Sequence, residues 1–157
     1  MLFVNLLSMA DALSVISLEQ AKEFLVVDFD DRDAEITRHI KSAIGYIEKY
    51  TNVMMYNRAV EYVLTGCLLE IYDAPISFVT TGLKTHQNVL SVTVHGKVND
   101  VVDATIGFTD ITDVPQDLIE AAYKLITYLF ENKDIYTAGL PWDIQMLVNK
   151  WRRSATI

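Results

Sequence analysis

The densest group of potential ligands in the chain is the acidic run Asp28-Phe-Asp-Asp-Arg-Asp33. Carboxylates at alternating positions are what a calcium loop uses, because a hard divalent cation takes an all-oxygen shell. An EF-hand loop begun at Asp28 has Asp30 at its third position. Arg32 then falls at the fifth, Asp33 replaces the Gly that the sharp turn needs, and His39 stands where the closing bidentate Glu belongs. The pattern fails at three places, so the run is assigned to helix capping and solvation. His39, His86, His95 and the lone Cys67 lack the spacing of a zinc site. There is no Gly-x-Ser-x-Gly elbow, Gly-rich phosphate loop or Gly-Lys-Ser/Thr sequence. Carboxylate pairs for acid–base work depend on spatial pairing, which the sequence does not give. The expectation is a protein without catalytic residues, metal or cofactor.

Composition points the same way. The chain has 157 residues, 51% of them hydrophobic and 22% charged, which suits one globular domain that needs no disulfide or metal to hold it. Asp and Glu number 21 against 13 Lys and Arg, a net charge of -8. Binding nucleic acid through phosphates normally needs a basic surface, so tight sequence-specific binding is disfavoured; an acidic surface can still line a passage through which DNA slides without sticking. With one Cys no intrachain disulfide can form, and Cys67 beside Leu68 and Leu69 is expected to be a small core residue. The apolar opening Met1-Leu-Phe-Val-Asn-Leu-Leu7 has no basic residue before Lys22 and is interrupted by Asn5 and Asp11, which argues against a signal peptide or membrane span. Residues 1–15 are taken as an N-terminal arm or short helix that needs a partner surface, with residues 16–157 as a single domain.

The elements that must position these residues follow from periodicity. Ser17-Leu-Glu-Gln20 is a capping box, and Leu18, Ala21 and Leu25 recur at helical spacing, which predicts a short helix over 18–26. Asp30 or Asp31 is positioned to cap the next helix, where Ile36, Ile40, Ala43, Ile44, Ile47 and Tyr50 form one apolar stripe ending near Asn52. From Arg58 to Phe108 alternation and glycine punctuation predict short strands, or a long mobile hairpin around residues 82–100, and Pro75 argues against a central strand there. Pro115 opens a second long helix whose polar stripe is narrow, so part of its apolar surface, including Tyr123 and Phe130, is expected to serve as a subunit interface. Leu140-Pro-Trp142 starts a last helix carrying Ile144, Leu147, Val148 and Trp151. The fold class is therefore mainly α with a β-rich insert: a small helical bundle with short antiparallel strands or a long hairpin between its second and third main helices.

After Asp143 the chain has no acidic side chain, and Lys150, Arg152 and Arg153 make its end basic. Such a tail either docks on an acidic neighbour or is a helix C-terminus whose cations suit the dipole. Most helix-borne aromatics, Tyr46, Tyr50, Tyr123, Tyr128, Phe130 and Trp142 among them, are expected in core or interface packing. Trp151 beside Arg152 and Arg153 stands out, since Trp and Arg dominate interface hot spots.

The order of these segments resembles a known family. Ile16-Ser-Leu-Glu-Gln-Ala-Lys-Glu-Phe-Leu25, Val27-Asp-Phe-Asp-Asp-Arg-Asp-Ala-Glu-Ile36, then Ile40, Ala43 and Tyr46-Ile-Glu-Lys-Tyr-Thr51 are similar to the N-terminal signature of tailed-phage head-tail connector (adaptor or head-completion) proteins. Val114-Pro-Gln-Asp-Leu-Ile-Glu-Ala-Ala122 and Tyr128-Leu-Phe-Glu-Asn-Lys133 resemble the second block, and Leu140-Pro-Trp142 with Lys150-Trp-Arg152 the closing segment. The similarity spans 16–153 and is weakest in the middle. Phe108-Thr-Asp-Ile-Thr-Asp113 stands where many members carry an aromatic-rich Gly-Tyr.

The resemblance implies a structural virion protein of the neck, made in the bacterial host cytoplasm. It implies a homo-oligomeric ring, a dodecamer in the virion, beneath the portal protein. That ring would extend the DNA channel without sequence-specific DNA binding and present a surface to a stopper or tail-completion protein, with no membrane involved. It places the stretch from Trp142 to Arg153, with Lys150, Trp151 and Arg152, at the portal contact, and makes the β-region a candidate for contacts between ring neighbours. The competing reading is another phage neck or tail interaction module, or a small regulatory binding domain.

Overall fold

The computed structural model describes residues 3–71, 75–80, 84–87, 92–132 and 140–153. Helix α1 (Leu18–Leu25) starts where the capping box predicts: Ser17 Oγ accepts from the Gln20 amide at 3.2 Å, and Gln20 Oε1 accepts from the Ser17 amide at 2.9 Å. It stops at Val26, which takes a left-handed φ of 56°. Helix α2 (Asp33–Thr51) begins after Arg32 without a side-chain cap. Neither Asp30 nor Asp31 caps it. The Asp30 carboxylate instead joins Asp33 in holding the Lys22 ammonium, at 2.6 and 2.8 Å.

The predicted stripe of α2 faces the core: Ile36, Ile40, Ala43, Ile44 and Ile47 are fully buried. Each isoleucine contributes about 2 kcal/mol of burial. Against it runs α3 (Gln116–Glu131), with Leu118, Ala121, Ala122, Leu125, Ile126 and Leu129 buried. The pair is antiparallel, since Arg32 near the start of α2 lies over Phe130 near the end of α3. Helix α4 (Trp142–Val148) packs on α3 through Ile144 and Val148, and a 3-10 turn (Asn149–Trp151) brings the chain back to the end of α2. There the Arg153 amide donates to the Thr51 carbonyl at 2.8 Å, and Asn52 Nδ2 donates to the Arg153 carbonyl at 2.9 Å.

The β-region folds as two antiparallel sheets. One has the order β1 (Phe3–Met9), β2 (Arg58–Val63), β7 (Val101–Ile106), β4 (Ile76–Thr80); the other is β3 (Leu68–Ile71), β6 (Val92–His95), β5 (Lys84–Gln87). Val60, Tyr62, Val102 and Ala104 from the first and Leu69, Ile71, Val92 and Val94 from the second share one apolar core, separate from the helical one. Four expectations are corrected or refined here. The opening segment, expected as an arm or short helix in need of a partner surface, is over residues 3–9 a strand laid on β2. The stretch expected as a long mobile hairpin is, over Lys84–His95, the β5–β6 pair completed by β3, with residues 88–91 outside the description. Pro75 precedes an edge strand, as its missing amide requires. Cys67 is exposed rather than core, because it lies in the turn between β2 and β3, where its carbonyl accepts from the Gly96 amide.

Two contacts set how the sheets sit on the helices. Glu48, buried near the end of α2, accepts the Met55 amide at 2.8 Å and pairs with the Arg58 guanidinium at the start of β2. Arg58 also lies over the Tyr56 ring, 4.2 Å from its centroid. Burial pushes the Glu48 carboxyl above its usual range, only partly offset by the Arg58 charge and the Met55 amide. At the other strand end Gly107, with φ 93°, presses against the Tyr56 backbone, and its amide donates to the Pro75 carbonyl at 2.7 Å.

Candidate functional site

A catalytic reading requires titratable groups that converge in a cleft. An open cleft of about 370 Å³ lies at the junction of the helices and the first sheet, walled by Val15, Met55, Tyr56, Phe108 and Ile111. Asp110 is the carboxylate on its lining, and its oxygen accepts from the Thr112 amide and hydroxyl at 2.9 and 2.8 Å, which hold the acid below its usual range. That is a turn cap, with no second carboxylate or histidine in the lining to exchange a proton with. Among the described residues no three His, Cys, Asp or Glu side chains group closely enough to hold a metal ion. The acidic run that invited a calcium reading is occupied by the Lys22 ammonium, which supplies the positive charge a cation would bring. No helix among the described residues is long and apolar enough to cross a membrane.

Surfaces rather than clefts carry the remaining chemistry. On the C-terminal segment the five residues singled out from sequence separate into two groups. Trp142 is 74% exposed at the first turn of α4, with Met146 exposed one turn on, so both lie on one helical face. Lys150, Trp151, Arg152 and Arg153 instead gather where α2 ends and α3 begins. Lys150 pairs with Asp117 at 2.6 Å, and Trp151 Nε1 approaches the same carboxylate at 3.4 Å while its ring packs half-buried on the helical core. Arg152 lies over the Tyr50 ring at 5.1 Å. The Lys150 bond holds the Asp117 carboxyl below its ordinary range. Trp151 is thus a pinned side chain whose edge shows, and Trp142 is the free one. The sequence marked Trp151 by its arginine neighbours and could not show the Asp117 contact from α3.

Tyr123, midway along α3, and Phe130, near its end, lie two turns apart. The Tyr123 ring stacks on Phe24 of α1, centroids 4.7 Å apart, and Phe130 lies under Arg32 at 5.4 Å. Phe24 remains about half exposed beside Tyr123, and Val26 and Phe29, in the turn that follows α1, are exposed as well. Sequence reasoning missed Phe24 as a partner of Tyr123, since a single aromatic at a helix end carries no periodic signal.

Comparison with known proteins addresses the same architecture. A sequence model described as phage gp6-like head-tail connector protein matches residues 15–140. No curated protein matches the chain. Among solved structures, a chain in the neck of an empty gene transfer agent (GTA) particle computed with C6 symmetry superposes with a TM-score of 0.76 at 18% identity, covering 99% of this chain and 97% of that one. A chain in the virion of the native GTA particle gives the same values. One in the neck of the native particle computed with C12 symmetry gives 0.71 at 17% identity, with the same coverage. At these identities the likeness shows a shared fold, β-region included.

Proposed function

Because the chain belongs to the phage gp6-like head-tail connector family, a family of structural neck proteins and not of enzymes, we propose that it forms a ring at the head-tail junction. The ring joins the portal to the stopper or tail and extends the DNA channel. The family match over residues 15–140 carries this reading. The whole-length likeness to chains of GTA necks computed with C6 and C12 symmetry supports it, and twelve copies in the virion is the stoichiometry we assign. The acidic balance of -8 suits a channel wall that must not grip DNA.

Within this reading Trp142, Lys150, Trp151, Arg152 and Arg153 face the portal. The exposed Trp142 acts as the apolar anchor on α4, while Arg152 and Arg153 supply basic groups from the separate cluster at the end of α2. Tyr123 and Phe130, with Phe24 and Arg32 against them, belong to the side that faces a ring neighbour.

Mixing the purified chain with its cognate portal protein tests the proposal by negative-stain microscopy and native mass spectrometry. Ring-shaped density capping the portal is expected; a strict monomer that ignores the portal would overturn the reading. Trp142→Ala removes an exposed side chain, so its effect on stability should stay within about 0.5 kcal/mol while portal binding weakens. Unchanged binding would remove Trp142 from the docking set.

A further inference from the structure

The two sheets treat their edges differently. In the three-stranded sheet the outer strands carry charge, Glu70 in β3 and Lys84 in β5, a common device against edge-to-edge pairing. In the four-stranded sheet the outer strands are Phe-Val-Asn-Leu-Leu-Ser-Met (β1) and Ile-Ser-Phe-Val-Thr (β4), with no charge, Pro or Gly in either. Among the described residues nothing pairs with the outer side of either strand. Leu6 and Leu7 of β1 are 54% and 57% exposed.

Resting on the ring reading above, we propose that this sheet continues from copy to copy, the β1 edge of one chain pairing with the β4 edge of the next. Strand direction favours it. Every neighbour in the order β1-β2-β7-β4 is antiparallel, so the two outer strands of this even-numbered sheet run in opposite directions. A neighbour placed by rotation about a ring axis therefore brings its β1 antiparallel to β4, and the sheet order simply repeats. That is the head-to-tail contact a closed ring requires. Composition suits the same pair, because neither edge brings a charge into the contact when they meet. Irregularities at Leu6–Ser8 and Ile76–Phe78 leave Phe3–Leu6 and Phe78–Thr80 as the regular stretches. The ladder is short: it fixes direction and register, and the leucines supply the burial.

The test uses full-length Leu6→Lys and Thr80→Lys, each placing a charge on one edge; Thr80 lies opposite the exposed Asp103 of β7. Native mass spectrometry of each variant alone should show rings lost, with at least tenfold more protein needed for any association. Mixed, the two should form a heterodimer that grows no further, because one supplies an intact β4 edge and the other an intact β1 edge. Rings that persist in both variants overturn the pairing and leave the ring reading standing. Dimers of Thr80→Lys alone, absent in Leu6→Lys, would mean two-fold β1 pairing and also overturn it. A wild-type chain that never forms rings, with portal or without, sinks the ring reading and this pairing with it. Independently of any variant, amide hydrogen exchange on wild-type rings should slow in residues 3–6 and 78–80 relative to dilute monomer; unchanged exchange there overturns the pairing.

Discussion

Gly107→Ala is predicted to be among the most damaging single-methyl additions in the chain. Residue 107 leaves β7 with φ 93°, and a Cβ built there falls 2.0 Å from the Tyr56 carbonyl oxygen and 2.6 Å from its carbon. Ordinary carbon contacts open at about 3.5 Å, so the two backbones would have to part by more than an ångström. Neither backbone is free to yield. Tyr56 sits between Met55, whose amide is bound by Glu48, and the first residues of β2; Gly107 is tied to Pro75. The dihedral costs about 1–2 kcal/mol for a residue with a Cβ. Forced overpacking adds about 1–3 kcal/mol. A loss of about 4 kcal/mol corresponds, at about 2–4 °C per kcal/mol for a chain of this length, to a melting temperature lowered by about 8–16 °C. Differential scanning calorimetry measures it. Gly107→Asn separates the two causes, because Asn tolerates positive φ but brings the same Cβ. If the clash dominates, Asn is nearly as harmful as Ala. A fall of less than about 3 °C for Ala, or full rescue by Asn, would refute the close approach as the reason for this glycine.

Glu48→Ala strips the acceptor from the Met55 amide and the partner from Arg58 at once. Breaking a buried pair costs about 3–5 kcal/mol, and since the Arg58 side chain keeps 18% of its exposure the lower end, about 3 kcal/mol, is expected as a drop in the urea midpoint at constant slope. An unchanged midpoint would mean the pair does not join helices to sheet. Asp117 has its folded value held below the unfolded one, so the stability it contributes is present above the ordinary carboxylate range and lost as pH falls through the depressed folded value. Asp117→Asn should flatten that part of the acid limb, followed through Trp151 fluorescence, whereas an identical acid profile would show that the Lys150 bond is not made in solution.

What the sequence made legible is what local periodicity encodes. The Ile36-to-Ile47 stripe, the Ser17–Gln20 box and the Pro115 start each depend on residues within a turn or two, and the corresponding elements lie within a residue or two of expectation. Contacts closed over long separations were not legible. Strand β1 lacks a clean alternation because its register shifts between Leu6 and Ser8, and its partner β2 lies some fifty residues on, so an apolar opening segment gave no sign of pairing. Trp151 carried hot-spot composition, yet its Asp117 contact crosses from α3. The close approach at Gly107 left a single glycine among several punctuating the β-region, with nothing local to set it apart.

The distribution of exposed apolar surface bears on assembly more directly than its total does. Scattered exposed leucines need no explanation. Helix α3, whose narrow polar stripe suggested an unmet need for burial, rests against α1, α2 and α4 of its own chain. Two exposed groups differ in kind. Leu6 and Leu7 lie on an edge strand with no partner on its outer side among the described residues, and Trp142 and Met146 share one face of α4. The first group offers hydrogen-bond direction with modest area, which suits a contact repeated identically between copies. The second offers an apolar anchor and no backbone ladder, which suits a partner of different shape. On the proposed reading a ring subunit needs both kinds, one sideways and one along the channel. Because the two groups lie on different parts of the fold, a surface change in one should leave the other's partner undisturbed, while a change at Glu48–Arg58 or Gly107, where helices meet sheet, disturbs both.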